Sequence, residues 1–479
     1  MWGVESTDFV TSTGSQPWFQ RFDLAPSVVG LGTLALGAAR AGDEPFWLDE
    51  AVSALVVRRP LVGLTHVLYD QEAGMTSYYI GLWAWAQIFP SDMGLRMFSV
   101  LGGAVTAALL FVLATRWFGR TTGWLAALFL VTNPFFLRYL TEVRTYSWTM
   151  AAVVATVVFV DRAFQSQRRI DSGAAGVAIG MGIASHLLFV FLPVILIGSA
   201  VACGLRLRCS RLVLLVSIAV IVVLPAVPSL LSRRSQLDWL GPQTRAVYLQ
   251  QTLDFTGGRI RLSVLVVGLL LAVLSVRDDN SRSWPVLACA MPAMLIPSLT
   301  LLASAFKFLF LSRYLAPAFP VLVLGAAAGY GFAIGRLANH HRSLAAATLL
   351  ALTAAIPFLV ASPLDDKARG RGVAEAVEFV TQRLQPSELI LIEHHRAVVM
   401  HHLGYRPAVD PGALPPRSNQ LELPSRPIQD YISQLDSAST IYIIYWEGWP
   451  VEPQAQRLVD TRTLKEVAHF GTTSVLVLG

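Results

Sequence analysis

The stretch Leu24–Ala51, LAPSVVGLGTLALGAARAGDEPFWLDEA, decides what kind of fold this chain has. Its first part is an apolar run of about the 17–25 residues that a membrane-spanning helix needs. Two acids, Asp49 and Glu50, then follow beside Phe46 and Trp47. Ionisable groups near bilayer depth are costly and therefore usually functional. We predict a retained first membrane helix, without a cleaved signal, followed by a reaction centre at the boundary between water and lipid.

The composition is that of a membrane protein. Hydrophobic residues make up 54% of the chain and charged residues 14%, and the mean hydropathy is +0.55. Soluble domains carry roughly 25% charged residues, so an ordinary soluble enzyme is excluded. Apolar runs recur from Leu24 to about Val360, and mixed polarity follows from Pro363. The sequence therefore predicts a polytopic helical membrane domain over residues 1–362 and a soluble α/β domain over residues 363–479.

Charge divides the chain at the same place. The formal charge is +9 over residues 1–362 and −3 over residues 363–479, within a total of +6. Basic residues in a membrane domain set its topology and contact lipid phosphates. The sequence has no nucleic-acid-binding motif beside them. We expect membrane lipids as partners, and no nucleic acid.

The topology depends on the aromatic segment Ser77–Phe89. It is short for a span, and its tyrosines and tryptophans are typical of a helix lying along the membrane surface. The span Leu95–Thr115 then returns to the cytoplasm, where Arg116–Arg120 forms a basic loop. This alternation predicts about eleven spans, a cytoplasmic N-terminus, an extracytoplasmic C-terminal domain and longer outer loops such as Leu231–Leu262. A multi-pass plasma (inner) membrane protein is expected.

Helical and strand-like patterns alternate after Pro363, which predicts a small α/β domain. Helices are predicted at Gly372–Leu384, Arg396–Leu403 and Ile428–Leu435, and strands at Glu388–Ile392, Thr440–Tyr445 and Ser474–Leu478. The Pro/Ser-rich stretch Pro411–Pro427 is predicted to be a surface loop.

This topology collects acids, arginines and aromatic side chains on the outer face. The set comprises Asp49, Glu50, Tyr78, Tyr79, Arg96, Tyr139, Glu142, Arg144, Tyr146, His186, Lys307, Arg313 and Tyr314. A carboxylate can act as a general base, and guanidinium groups suit phosphate oxygens. The convergence of both on one side of the membrane indicates a catalytic or transport site.

Plain structural roles remain open for the charged members of this set. Asp49 could cap a helix or pair with Arg58. Glu142 and Arg144 could form a local ion pair at the end of a loop, and the Arg-Tyr pair at 313–314 could anchor a helix at the interface.

The histidines have their own alternatives. His186 lies between two apolar segments, where a histidine is often a turn residue or a hydrogen-bonded core residue. His394-His395 and His401-His402 do not have the i, i+4 spacing of zinc metalloproteases, so we expect partly exposed histidines there. No metal site and no cofactor are predicted, although a divalent metal is left open.

Three motifs, in order, resemble the GT-C glycosyltransferases. They are the outer-loop acids Asp49-Glu50, the run Tyr139-Leu140-Thr141-Glu142-Val143-Arg144-Thr145-Tyr146, and Arg313-Tyr314-Leu315-Ala316-Pro317. The nearest relatives look like the bacterial relatives of protein O-mannosyltransferases and of lipid A aminoarabinose transferase. The resemblance extends loosely over the whole layout, a membrane domain followed by an outward-facing α/β domain. One departure is Gly74-Met75-Thr76-Ser77-Tyr78-Tyr79, where such relatives usually carry a Pro-Pro pair before the aromatics.

The resemblance implies transfer of a sugar, hexose or pentose, from a polyprenyl phosphate to a hydroxyl of a lipid, glycan or protein acceptor, with inversion. Asp49, Glu50 and Glu142 would be catalytic, with Asp49 as the general base. Arg96, Arg144, Tyr146, Arg313 and Tyr314 would bind the donor phosphate, and Tyr78, Tyr79, His186 and Lys307 would line the substrate pocket.

Two other classes of function compete with this one. A lipid-linked sugar flippase or transporter would use the same basic cavity without needing a base such as Asp49, and a structural scaffold would need neither. The sequence has no Asp-x-Asp motif for a metal-bound nucleotide sugar and no Walker-type loop for ATP. A lipid-phosphate-dependent transferase is therefore the leading hypothesis.

Overall fold

The computed structural model describes residues 23–42, 44–70, 73–227, 244–277, 282–306, 309–338, 352–353, 355–356, 370–393, 396–403, 432–447 and 453–479. Within them the chain is mostly helical, with one small sheet near the C-terminus. The predicted change of character towards the C-terminus is thus visible, whereas the predicted boundary between residues 362 and 363 lies outside the described residues.

The first helices form the scaffold for the predicted acid motif. They are α1 (Ala25–Ala41), α2 (Leu48–Val57), α3 (Leu61–Asp70), α4 (Thr76–Ala86) and α5 (Asp92–Phe118), with a short 3-10 helix at Ala73–Met75. Helices α1 and α5 pack antiparallel at close range, because Gly37 faces Val100 and Gly30 faces Ala108. The aromatic segment predicted to lie on the surface is the eleven-residue helix α4, too short to span a bilayer by itself.

The remaining helices of the membrane part surround α5. They are α6 (Arg120–Val131), α7 (Pro134–Thr141), α8 (Tyr146–Ser166), α9 (Arg169–Ile183), α10 (Phe191–Ala202), α11 (Cys209–Val223), α12 (Arg245–Thr256), α13 (Arg259–Ser275), α14 (Ser283–Ala303) and α15 (Phe319–Ala338), with 3-10 helices at Leu187–Val190, Leu224–Ala226 and Ser312–Ala318. Among the described residues, five helical segments are long and apolar enough to cross a membrane, or seven if two bent pairs each count as one span. The predicted total of about eleven spans therefore stays a prediction.

Two pairs of consecutive helices are each bent at a short break, and the two pairs contact each other near these bends. Helices α6 and α7 meet at 65°, and α12 and α13 meet at 70°. At the first bend Asn133 caps α7, since its Oδ1 accepts a 2.9 Å hydrogen bond from the backbone N–H of Phe135. Its Nδ2 donates to the carbonyl oxygen of Thr256 at 3.0 Å and so ties α7 to the end of α12. The predicted outer loop Leu231–Leu262 therefore contains a helix that packs beside α7.

The sheet belongs to a C-terminal unit, defined here as the described residues from Gly370 to Gly479. Its elements are β1 (Leu389–Ile392), β2 (Ile441–Trp446), β3 (Leu464–Phe470) and β4 (Thr473–Leu478), with helices α16 (Arg371–Arg383), α17 (Arg396–His402), α18 (Ile432–Ser437) and α19 (Pro453–Thr461). The strand order is β1-β2-β4-β3; β1 and β2 are parallel, and the other two pairs are antiparallel.

Sequence patterns located most of this unit and missed two elements. The predicted strands and helices that fall on described residues are present within a few positions of their predicted bounds. Strand β3 was missed because most of it is exposed, so its sequence lacks the alternation that marks a half-buried strand. Helix α19 was missed as well. The predicted loop Pro411–Pro427 lies outside the described residues.

Strand β2 is buried on both faces of the sheet, and one of these faces packs against α2. Along β2, Ile441 and Ile443 face a cluster with α18 and α19, as the two-residue period of a strand requires. Tyr442 and Ile444 face the opposite cluster, which α16 and α17 cover. Ala51 and Leu55 of α2 belong to this second cluster. Helix α2 is thus part of the core of the C-terminal unit.

Candidate active site

Helix α2 presents the acid motif at its first turn. Trp47 is the N-cap residue, and the Glu50 side chain returns to the backbone N–H of Trp47 at 3.5 Å. Carboxylates at the N-terminus of a helix are stabilised by the helix dipole. The Asp49 side chain is 21% exposed and that of Glu50 only 4%. Of the two acids, Asp49 is the one that a substrate can reach.

Two arginines hold the Asp49 carboxylate. Its Oδ1 lies 3.0 Å from Nη2 of Arg144, and its Oδ2 lies 3.1 Å from Nη1 of Arg313. Arg144 is on the loop between α7 and α8, and Arg313 is on the 3-10 helix that precedes α15. The three sequence motifs, far apart in the chain, therefore meet at one carboxylate.

A tyrosine of α4 supports this cluster. The Arg144 Nη1 donates to the hydroxyl of Tyr79 at 3.0 Å, and that hydroxyl lies 3.2 Å from Oγ of Ser53 on α2. Tyr79 was predicted to line the substrate pocket, and the structure places it behind Arg144, fully buried. Tyr78 is also buried and packs against Phe98, with ring centroids 5.7 Å apart.

Glu50 and Arg96 form a buried pair. Arg96 donates from Nε to Oε1 of Glu50 at 2.8 Å and from Nη2 to Oε2 at 2.7 Å. Glu50 also accepts from the backbone N–H of Val143 at 3.2 Å, while Arg96 donates to the carbonyl oxygens of Ala41 and Glu44. This pair thereby holds the α1–α2 loop. The predicted catalytic role of Glu50 and the predicted phosphate contact of Arg96 stay predictions, and these contacts give both residues a positioning role.

Glu142 lines a small polar cavity beside Asp49. The residue is 7% exposed, and its buried Oε1 has no hydrogen-bond partner among the described residues. Burial raises the pKa of Glu142 to about 8, an effect that the nearby charge of Arg138 opposes. Glu142 is therefore mostly protonated at neutral pH. The cavity of about 120 Å³ is lined by Trp47, Arg138, Tyr139, Glu142, Gln251, Asp254, Leu311, Ser312 and Arg313.

Three rings, those of His186, Tyr146 and Tyr314, lie near Arg313. The His186 ring centroid lies 6.4 Å from that of Tyr146 and 6.2 Å from that of Tyr314. Burial lowers the pKa of His186 to about 4, so the imidazole is neutral at neutral pH. The Arg313 Cζ lies 5.6 Å from the Tyr314 ring centroid. The structure thus gathers His186, Tyr146 and Tyr314 at the cluster, whereas Lys307 lies outside the described residues.

Sequence reasoning missed two polar residues of the cavity, Gln251 and Asp254, and left Arg138, one of the predicted outer-face arginines, outside the candidate set. Gln251 and Asp254 lie on α12, within a segment interpreted only as an outer loop, and Gln251 Oε1 accepts from the backbone N–H of Ser312 at 2.7 Å. The sequence did contain a signal for Gln251 and Asp254. They are polar residues three positions apart, on one face of the helix that precedes an apolar span. The alternative in which Asp49 pairs with Arg58 has a different outcome: Asp49 pairs with Arg144 and Arg313, and Arg58 approaches Asp92 at 3.8 Å.

The paired histidines of α17 are partly exposed, as expected: His401 and His402 both lie between buried and exposed. The His401 side chain itself is 6% exposed, because its ring contacts Asp92 at the start of α5. Among the described residues, no group of three or more His, Cys, Asp or Glu side chains is placed to hold a metal ion; His394 and His395 lie outside them. The expectation of no cofactor stays a prediction.

Comparison with known proteins relates this geometry to a fold. Residues 74–231 match the family model described as dolichyl-phosphate-mannose-protein mannosyltransferase. That segment holds α4 and the motif ending at Tyr146, but neither Asp49 nor Arg313. Curated protein sequences give no match.

Solved structures match over most of the chain. ArnT from Cupriavidus metallidurans bound to undecaprenyl phosphate superposes with a TM-score of 0.63 at 11% identity, covering 95% of this chain and 98% of that one. The archaeal oligosaccharyltransferase AglB from Archaeoglobus fulgidus, in complex with an inhibitory peptide and a dolichol-phosphate, gives a TM-score of 0.51 at 10% identity, over 87% of this chain and 68% of that one. The resemblance predicted from the three motifs is therefore confirmed: this chain is an integral membrane protein with the fold of the GT-C glycosyltransferases, and it matches the mannosyltransferase family model over residues 74–231.

Proposed function

We propose that the protein is a membrane glycosyltransferase that moves a sugar from a polyprenyl phosphate to an acceptor hydroxyl at the outer face of the membrane, with inversion. The observation that carries this proposal is the Asp49 carboxylate held between Arg144 and Arg313 at 3.0 and 3.1 Å. Acid and guanidinium groups then lie in one place, as transfer from a phosphate leaving group requires.

The chemistry follows from this arrangement. The acceptor hydroxyl gives its proton to an oxygen of Asp49 while its oxygen attacks the anomeric carbon. The bond from that carbon to the phosphate oxygen breaks on the opposite face, and the polyprenyl phosphate leaves with the electron pair. Arg144 and Arg313 stabilise the negative charge that develops on the phosphate, because a guanidinium group donates two parallel hydrogen bonds to phosphate oxygens.

Donor binding would also free the base. In the structure Asp49 engages both arginines. A donor phosphate would compete for the same guanidinium groups. As they turn towards the phosphate, the Asp49 oxygens become free to accept the proton of the acceptor hydroxyl.

The cavity beside Glu142 is the place we propose for the sugar ring. Its lining combines a tryptophan with carboxyl, amide and guanidinium groups, which suit the hydroxyls and the apolar face of a sugar. A mostly protonated Glu142 can donate a hydrogen bond to a hydroxyl and is a poor base at neutral pH, which favours Asp49 for proton abstraction. Whether the sugar is a hexose or a pentose is left open, and so is the acceptor: lipid, glycan or protein.

The test separates chemical transfer from transport. Cells of the native host that lack the protein should accumulate a polyprenyl-phosphate sugar, which mass spectrometry of the lipid extract identifies. Wild-type protein should clear this lipid, and Asp49→Asn at equal abundance should not. If Asp49→Asn clears it as well as wild type, as transport followed by consumption elsewhere would allow, Asp49 is not the base and the transferase proposal fails as stated. If no lipid-linked sugar accumulates, the proposed donor class is wrong.

A further inference from the structure

The C-terminal unit reaches the loop that leads into α2, the helix that carries the acids. Two consecutive histidines of α17 make the contact: the Nε2 of His402 donates to the carbonyl oxygen of Phe46 at 3.0 Å, and the His401 ring stacks on the Phe46 ring with centroids 5.0 Å apart and planes 18° apart. Phe46 is 1% exposed and lies three residues before Asp49.

The same histidine pair is tied to the membrane part. The His401 Nε2 lies 2.9 Å from Oδ2 of Asp92, the first residue of α5. Arg96, one turn further along α5, places its Cζ 4.8 Å from the Phe46 ring centroid. Phe46 therefore contacts α5 through Arg96 and α17 through His401.

The loop between α1 and α2 takes its hydrogen bonds from these two partners. Arg96 donates to the carbonyl oxygens of Ala41, Glu44 and Pro45, and His402 supplies the bond to the next carbonyl. Gly370, where the C-terminal unit begins, comes so close that a Cβ there would lie 2.5 Å from the carbonyl oxygen of Pro45. The C-terminal unit thus approaches this loop from two points of its own chain.

Packing continues the contact along α2. Ala51 and Leu55 lie in one apolar cluster with Val398 and Val399 of α17, and Ala397 packs with Phe46 and Val52 in another. Successive faces of α2 are therefore covered by the C-terminal unit, and a rotation or shift of α2 would break both clusters.

From these contacts we infer that the C-terminal unit is a positioning element of the active site, in which His401 and His402 hold Phe46 and, through it, the first turn of α2 so that Asp49 faces Arg144 and Arg313. What the loop does chemically rests on the proposed function; the positioning itself does not. His401 and His402 act through Phe46, which one stacks on and the other hydrogen-bonds.

The first experiment needs no substrate. Hydrogen–deuterium exchange of the full-length protein is compared for wild type, His401→Ala and His402→Ala, with His469→Ala as the control. His469 belongs to the same unit but lies on the exposed strand β3, beside Glu447. We expect faster exchange over residues 46–57 in the first two variants and wild-type exchange in the control. Unchanged exchange over residues 46–57 in both variants would overturn the inference.

The second experiment separates positioning from simple stability. With the donor lipid identified as above, His401→Ala and His402→Ala should lower kcat on the order of 10- to 100-fold, since small misplacements of a catalytic group are costly, with little change in KM for the donor. His402→Gln, which keeps a donor for the Phe46 carbonyl, should recover most of the rate. A loss of rate that His469→Ala shares, or that His402→Gln does not rescue, would contradict positioning through Phe46. If an alanine variant fails to fold, His401→Phe takes its place, because it keeps the ring stacked on Phe46 and removes only the Asp92 contact. Positioning through Phe46 predicts a rate near that of wild type for His401→Phe, and a rate as low as that expected for His401→Ala would contradict it.

Discussion

At the scale of single residues, the central feature is one carboxylate shared by two guanidinium groups. The side chain of Arg144 is 7% exposed and that of Arg313 is 23% exposed. Arg144 is additionally fixed by Tyr79, whereas Arg313 borders both Asp49 and the polar cavity. Arg313 is therefore the more accessible of the two for a phosphate, and Arg144 the more rigid.

Replacing these arginines by lysine tests the phosphate role. Lysine keeps the charge but offers a single donor point in place of a planar fork. We expect Arg313→Lys and Arg144→Lys to remain folded and to weaken use of the lipid donor by about 1.5–3 kcal/mol, the value of a charge-assisted contact. Arg259→Lys, at an exposed position at the start of α13, is the matched control. If donor affinity and turnover were unaltered in both site variants, the two arginines would not bind the phosphate and would serve as interface anchors.

Glu142 gives stability a pH dependence. Its folded-state pKa of about 8 lies above the ordinary value of 4.5, so the folded state binds more protons than the unfolded state between these values. The contribution of Glu142 to the free energy of unfolding is therefore fully present at low pH and falls as the pH rises towards 8. The Tm of Glu142→Gln in detergent should therefore rise relative to that of wild type between about pH 5 and pH 8. A Tm difference independent of pH, or equal to that of the exposed Glu375→Gln, would contradict a protonated buried Glu142.

The sequence identified the residues of the site better than their partners. Asp49, Arg144 and Arg313 were found because each lies in a short motif at the end of an apolar run, where a charge is conspicuous. The pairing of Glu50 with Arg96 was not found, because it joins residues from α2 and α5 that only the fold brings together. The same holds for Asp254 and Gln251, whose place beside Glu142 depends on the bend between α12 and α13.

At the scale of elements, glycines allow two helices to pack backbone to backbone. A Cβ at Gly329 of α15 would overlap the carbonyl oxygen of Gly268 on α13. Small residues permit such close approach, which is a main source of helix association in membranes. Helix α15 follows directly on the 3-10 helix that carries Arg313, so this contact holds the helix that continues from the site.

Gly329→Ala should therefore be disruptive. The added methyl group must separate α13 from α15, and overpacking of this kind typically costs about 1–3 kcal/mol. Gly335→Ala on the same helix is the control, since a Cβ there meets no atom within 4 Å. We expect a lower Tm in detergent for Gly329→Ala alone. Equal Tm values for the two variants would show that the helices do not approach as closely as described.

At the scale of the whole molecule, the C-terminal unit and the membrane part share α2, so the site lies where the two meet. The sequence predicted both parts from composition alone, because hydropathy and charge change together near Pro363. It could not predict their contact, since the alternating pattern of a strand or helix indicates a buried face without indicating what covers it. The histidines of α17 are an example: their spacing excluded one metal motif but gave no indication of Phe46.

The orientation of the chain in the membrane is a separate prediction. The basic loop after α5 should be cytoplasmic, and the C-terminal unit, with the site, should be outside. In a variant without Cys203, Cys209 and Cys289, a cysteine at Ser437 should react with an impermeant reagent in intact cells, and a cysteine at Thr121 should react only after lysis. The reverse labelling would place the whole site on the cytoplasmic side.

The most direct test of the central claim is the rate of Asp49→Asn. Purified wild-type protein and variant are supplied with the accumulated lipid-linked sugar and an acceptor extract, and the release of polyprenyl phosphate is followed by mass spectrometry. Asparagine keeps the shape but cannot accept the proton, so the rate should fall by about 10²–10⁴ while the protein remains folded and still binds the lipid-linked sugar. A wild-type rate in Asp49→Asn would contradict the assignment of Asp49 as the base, and with it this account of the site.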